Sequence, residues 1–167
     1  RRVAQSEEYS FDFNEFFKND GEHFLHEDDI KEFLDKLSQT HADNDDATVQ
    51  YYPFADAQTR DALRHTFWLL PQNGGVNMTK LLKKLLNEHA YFKDYDIIMA
   101  AADGDDDRAK SDSALDEVLR KIGNKPYDTK TITLSCGQLT TGITVEAWTA
   151  VLMLNNLKTP EQYLQAA

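Results

Sequence analysis

Thr66-Phe67-Trp68-Leu69-Leu70 is an uncharged, largely apolar run that stops at Pro71. It is too short for a buried helix and offers water no charged side chain, so it predicts a strand covered on both faces. A strand of that kind needs helices above and below it, and the residues that follow supply them in alternation. Gln72-Asn73-Gly74-Gly75 reads as a turn. Asn77 can cap a helix reaching Glu88, with Leu81, Leu82, Leu85 and Leu86 on its apolar side. Residues 95–101 predict a second strand, with Ala102-Asp103-Gly104-Asp105 as its exit loop. Residues 113–122 predict a second helix, with Leu115, Val118, Leu119 and Ile122 on one face and Gly123 as its C-cap. Residues 131–136 and 148–154 predict two more strands, and residues 160–165 open a last helix. A helix of about 13 residues and a strand of six or seven both span about 20 Å, so the elements can lie over one another. The expected fold is α/β, a parallel sheet with right-handed crossovers, preceded by an N-terminal helical extension.

That extension occupies residues 1–55, and the sheet domain residues 56–167. Phe11, Phe13, Phe16 and Phe17 form an aromatic cluster suited to packing on a neighbour. Ile30, Phe33, Leu34 and Leu37 fall on one face of a helix whose first turn holds Glu27, Asp28 and Asp29, where the helix dipole favours negative charge. Residues 38–50 are polar and acidic and predict a loop. They lack the Gly and Glu that a calcium loop of that kind needs. A further helix is expected over residues 56–65.

The formal net charge of −11 argues against strong nucleic-acid binding by the chain as a whole, because phosphate contacts need Lys and Arg. The charge is uneven, however. Residues 80–84 and those beyond Thr129 are neutral or basic, which leaves room for a local contact. One cysteine, Cys136, excludes an internal disulfide and fits a reducing compartment. No apolar run approaches the roughly 20 residues of a membrane span, and no signal peptide opens the chain. A cytoplasmic protein with no membrane partner is expected.

The chemistry concentrates between residues 131 and 145. Ile132 and Leu134 alternate with Thr131, Thr133 and Ser135, after which the pattern changes at Cys136-Gly137 and runs into Leu139-Thr140-Thr141-Gly142-Ile143-Thr144-Val145. Hydroxyls followed at once by glycine, just past an apolar strand, suit close approach to an oxygen-rich ligand such as phosphate. In α/β sheets ligands sit outside the carboxyl ends of the strands.

From this strand onward, TITLSCGQLTTGITVEAWTAVLML with Tyr163-Leu164-Gln165, the chain resembles the second motor lobe of superfamily 2 (DEAD/DEAH-type) helicases. More narrowly, it resembles the helicase-like subunits of ATP-dependent, type I or type III restriction–modification enzymes. The resemblance is specific across residues 130–167. It implies a RecA-like lobe, related to the phosphate-loop NTPases, inside a translocase that binds DNA and uses ATP and Mg²⁺. On that resemblance Thr140, Thr141 and Gly142 match motif V, with Thr140 and Thr141 toward the DNA backbone and Gly142 and Thr144 toward the nucleotide. Gln165 matches the first position of motif VI. Pro71, Asn73 and Asn77 fall in the motif IV region as DNA contacts. Thr144 stands where the family has an acidic residue, and Glu146 near where a proline is usual. The chain holds no G-x-x-x-x-G-K-[ST], so the phosphate loop and the Mg²⁺ carboxylates would belong to a first lobe elsewhere in a longer parent. Arg1-Arg2 and the stop at Gln165-Ala166-Ala167, inside the expected helix, read as the ends of a fragment. Its partners would be DNA, the first lobe and other domains of the parent. Alone it is expected to bind no cofactor and to be inactive.

Two other readings compete. Asp128-Thr129-Lys130 has the D-x-K half of a metal-dependent nuclease core, with Asp112 or Asp116 as a distant acid. A non-catalytic interaction domain would instead turn its Phe11–Phe17 cluster and acidic surface toward other domains. The five histidines show no metal-ligand spacing.

Overall fold

In the computed structural model the described residues are 11–38, 54, 63–72, 75–100, 107–136, 145, 147–155 and 164–166. In chain order the elements are α1 (Phe13–Phe16), α2 (Glu27–Ser38), β1 (His65–Leu70), α3 (Gly75–Glu88), a 3-10 turn (Phe92–Asp94), β2 (Asp96–Met99), α4 (Asp107–Ile122), a second 3-10 turn (Pro126–Asp128), β3 (Thr131–Cys136), β4 (Ala150–Met153) and β5 (Leu164–Ala166). The strands make one sheet in the order β2-β3-β1-β4-β5. The first four are parallel, and β5 lies antiparallel on β4 with Gln165 opposite Val151. The expected α/β class and parallel sheet are therefore present.

Alternate residues of β1 feed two cores. Trp68 and Leu70 point into one, with Ile97 of β2, Ile132 and Leu134 of β3, and Met78, Leu82, Leu85 and Leu86 of α3. Phe67 and Leu69 point into the other, with Ile98 of β2 and Val118 and Ile122 of α4. All six residues of β1 are buried, as a strand between two helical layers requires. The first core also takes in Phe13, Phe17, Phe24, Ile30, Leu34, Leu37 and Phe54, so the N-terminal helices continue the layer formed by α3.

Several expectations need correction. Of the helix expected over residues 160–165, residues 160–163 lie outside the described residues, and Leu164, Gln165 and Ala166 form a strand that adds to the edge of β4, whose backbone groups would otherwise lack partners. The helix after β1 begins at Gly75 (φ +69°), so Asn77 lies in its first turn and is not its cap. Helix α4 begins at Asp107 rather than Ser113. Both β2 and β4 are shorter than expected. Tyr95 lies outside the strand and its ring packs against Phe54, and the Trp148 amide donates to the Val145 carbonyl in a turn (3.0 Å). Of the helix expected over residues 56–65, residues 56–62 lie outside the described residues, and His65 opens β1.

Gly123 ends α4 as the pattern predicts, at φ +71° with its amide donating to the Leu119 carbonyl. A Cβ there would meet only the Arg120 carbonyl, at 3.9 Å, so backbone strain alone opposes a side chain. Gly123→Ala is expected to cost about 1 kcal/mol. A thermal midpoint lower by roughly 2–4 °C is the result to look for; an unchanged midpoint would mean that α4 can end differently.

Candidate functional site

The segments described after the neighbouring strands β1 and β3 pack on opposite faces of the sheet. After β1 the chain passes through α3, which packs with Trp68, Leu70, Ile132 and Leu134. After β3 it returns past Val145 and Trp148, which pack with Phe67, Leu69 and Val118 on the other face. The two strands are in register to their last residues, Leu70 opposite Cys136. A crevice opens outside the carboxyl ends of adjacent strands where the connections diverge in this way, and ligands of open α/β sheets bind there.

The candidate residues divide around this crevice. Pro71 is buried at the exit of β1, and Asn77 is exposed in the first turn of α3. Thr140, Thr141, Gly142 and Thr144 belong by sequence to the connection between Cys136 and Val145 but lie outside the described residues, as does Asn73. Gln165 lies on β5, beside β4 and thus two strands from β3. Sequence reasoning missed Asn155. It stands just past the end of β4, and its side-chain oxygen is buried without a hydrogen-bond partner among the described residues. At that end the ladder runs one residue further, through the Leu154 amide to the Leu69 carbonyl (2.7 Å). A buried acceptor left unsatisfied costs stability, so Asn155 is a candidate receiver of a ligand or loop N–H.

The N-terminal segment forms a wall near the exit of β1. Asp12, Asn14, Glu15 and Lys18 share a cavity of about 440 Å³ with Pro71 and Met78. Asp12 caps α1 by accepting from the amides of Asn14 (2.9 Å) and Glu15 (3.3 Å). Glu15 accepts from the His26 ring (2.8 Å), and this hydrogen bond, with the charge of Lys18, holds its carboxyl below the usual carboxylate range. An ionised Glu15 and a capping Asp12 make this wall unfavourable for phosphate, so a nucleic-acid backbone meeting Pro71 would have to approach from the α3 side. Among the described residues no group of His, Cys, Asp and Glu side chains could hold a metal ion.

At the amino end of the sheet stands His65, 3% exposed and overlooked by sequence reasoning because it precedes the apolar run. Its Nε2–H donates to the Pro126 carbonyl (2.8 Å), which leaves Nδ1 to accept from the Thr131 hydroxyl (2.9 Å). The Thr129 hydroxyl in turn donates to the Ile122 carbonyl (2.8 Å). His65 thus pins β1, β3 and the second 3-10 turn together as a neutral ring. Burial pushes its pKa below the ordinary 6.5, and the charge of Arg64 adds to that, against the opposing pull of the Pro126 hydrogen bond. As pH falls below about 6.5 the unfolded chain binds a proton that the folded chain resists. Stability is therefore full above the unfolded pKa and is lost as pH falls toward the folded one, at up to about 1.4 kcal/mol per pH unit. Denaturant unfolding between neutral and mildly acid pH should show this loss in the wild type and a shallower one in His65→Gln. Equal slopes would remove His65 as the cause.

Of the nuclease constellation, Asp128 and Lys130 lie at the same amino end. The Lys130 ammonium sits over the rings of Tyr95 (5.1 Å to the centroid) and Tyr91 (5.8 Å), a cation–π site. Asp128 is exposed in the 3-10 turn, Asp116 is exposed on α4, and the side chain of Asp112 is outside the described residues.

No protein-family model, curated protein or solved structure matches the chain. No helix among the described residues is long and apolar enough to cross a membrane.

Proposed function

We propose that the chain is the second RecA-like lobe of an ATP-dependent DNA translocase of the superfamily 2 type, from a restriction–modification enzyme. The observation that carries this reading is the adjacency of the parallel strands β1 and β3, with the segments described after them packed on opposite faces of the sheet. In the sequence Thr140-Thr141-Gly142 begins four residues after the last residue of β3, and the Pro71–Asn77 segment follows β1 at once. A parallel sheet with this strand order is compatible with such a lobe.

In this reading Thr140 and Thr141 present hydroxyl and amide donors to a DNA phosphate, and Gly142 lets the backbone approach the nucleotide. Pro71, Asn73 and Asn77 form the second DNA contact, with the first-turn amides of α3 favouring negative charge. ATP, Mg²⁺ and the phosphate loop belong to a first lobe in the same polypeptide or assembly, so this chain binds and positions without hydrolysing by itself. Gln165, on a strand beside β4, would have to reach the cleft by a different route from a motif VI helix.

The test is DNA-stimulated ATP hydrolysis by the intact parent. Thr141→Ala and Gly142→Ala are each expected to lower it by at least about tenfold, the equivalent of losing about 1.4 kcal/mol of stabilisation in the transition state. The purified chain alone should turn over no ATP. Robust turnover by the chain itself, unchanged in both variants, would overturn the reading.

A further inference from the structure

Helix α3 carries a row of cations on its outer side. Met78, Leu82, Leu85 and Leu86 fix its apolar side in the first core, so the opposite side faces away from the sheet. There Asn77, Lys80 and Lys84 recur at i, i+3 and i+7 and are all exposed, with the half-buried Lys83 beside them. None of these three lysines makes an ion pair among the described residues.

The lysines of the N-terminal helices behave differently. Lys31 pairs with Glu27 and Lys36 with Glu32, each at 3.2 Å, and Lys18 reaches Glu15 at 3.8 Å. The cause is in the sequence. Each lysine of α2 has a glutamate four residues before it, whereas Val76, Thr79 and Lys80 stand four residues before Lys80, Lys83 and Lys84. Lys80 and Lys84 therefore face each other as like charges one turn apart, a small cost to the helix that an anion between them would remove. In a chain of net charge −11, α3 holds three lysines and one acidic residue, Glu88 at its far end.

We propose that the outer side of α3 is a track for the phosphates of one DNA strand, which meets Asn77 first and then Lys80 and Lys84, with Lys83 at the flank. The inference rests on the motor reading, which brings the DNA backbone to the exit of β1, and it adds the direction the strand takes from there. The acidic wall of Asp12 and Glu15 borders Pro71 and Met78 and repels phosphate, so the row of lysines is the open course. Seven residues of helix carry the row about 10 Å, the axial length of about three phosphates on one strand. A protein partner fits this side less well. Protein interfaces need an apolar centre, and none of the large exposed apolar side chains, Phe11, Leu25, Leu119 and Tyr127, belongs to α3. Phosphates need only the cations and amide donors that are present.

The probe is a short, mixed-sequence DNA duplex carrying a fluorophore, titrated by anisotropy with the full chain at several salt concentrations. Lys80→Gln/Lys84→Gln tests the track. Lys121→Gln/Lys125→Gln removes the same charge at and beyond the end of α4. All four lysines are exposed, so both variants should keep the wild-type unfolding midpoint, which is checked first. The α3 variant is expected to bind at least about tenfold more weakly whatever the duplex sequence, with a salt slope shallower by about 1.8. The α4 variant should bind as the wild type does. The proposal is overturned if the wild type shows no salt-dependent binding, or if both variants weaken it equally, since bulk charge would then be the cause. It is also overturned if labelled polyglutamate binds as tightly as the duplex and loses affinity in the α3 variant. Hydrolysis by the intact parent separates this inference from the motor reading. Loss of ATPase in Thr141→Ala with unchanged DNA binding in the α3 variant sinks the track alone. Weakened binding in the α3 variant with unchanged ATPase in Thr141→Ala and Gly142→Ala sinks the motor reading alone.

Discussion

Trp68→Ala is expected to destabilise the protein by about 3–5 kcal/mol, among the largest effects available from one substitution. The indole is fully buried on the central strand β1. It meets Phe92 edge-on at 5.7 Å between ring centroids and Phe54 at 6.1 Å. Its Nε1–H donates to the Thr66 hydroxyl at 3.0 Å. Removal leaves a cavity between β1, the first 3-10 turn and residue 54, and takes the donor from a buried oxygen. Trp68→Phe separates the two losses. It keeps most of the ring contact and forfeits the hydrogen bond, at a cost of about 1–2 kcal/mol. Urea unfolding followed through Trp148 fluorescence measures both. An alanine variant within about 1 kcal/mol of wild type would mean that the neighbouring aromatic rings collapse into the space.

Trp68 also shows what the sequence made legible and what it hid. A short run without charges, stopped by proline, can hardly be anything but a doubly covered strand, and β1 is buried along its whole length. Strand β3 was legible in its bounds but not in its burial. Thr131, Thr133 and Ser135 alternate with Ile132 and Leu134 as in a strand with one wet face, yet all five are buried. The hydroxyls lie on the α4 side because β3 sits between β2 and β1 under that helix, and sheet position is a tertiary fact that no local pattern contains. One consequence is that the Thr133 hydroxyl has no hydrogen-bond partner among the described residues.

The start of α4 was missed for the opposite reason. Residues 107–112 are mostly charged and have no apolar stripe to announce a helix, so only their place ahead of Leu115 and Val118 extends it. The strand at residues 164–166 depends on the free edge of β4 more than on its own composition. The candidate site was legible as a Thr–Gly segment after β3, but its setting required the strand order: only adjacency of β1 and β3 puts Pro71 and Cys136 at one crevice. His65 and Asn155 gave no signal in the sequence, since the importance of the first comes from partners 61 and 66 residues away, and that of the second from an oxygen with no partner among the described residues.

The second large effect concerns how the N-terminal helices belong to the sheet. A boundary near residue 55 reads naturally from the polar stretch at residues 38–50, and if the two parts were energetically separate, a cavity in α2 would leave the sheet untouched. The contacts argue for coupling. Leu34 is 1% exposed and shares one core with Trp68, Leu86 and Phe92. The Phe54 amide donates to the Leu37 carbonyl at 2.9 Å, joining the end of α2 to the residue that covers Trp68. His89 ties α2 to the end of α3: its Nδ1 accepts from the Tyr91 amide (3.0 Å), so Nε2–H donates to Asp35 (2.8 Å). Leu34→Ala is therefore expected to cost about 2–5 kcal/mol. The cost should appear in the unfolding of the sheet, because both tryptophans lie in or beside its strands. Tryptophan-monitored and helix-monitored transitions should coincide and move together to lower denaturant. A variant in which circular dichroism reports early loss of helix while the tryptophan midpoint stays at the wild-type value would show that α2 is a separately folding unit.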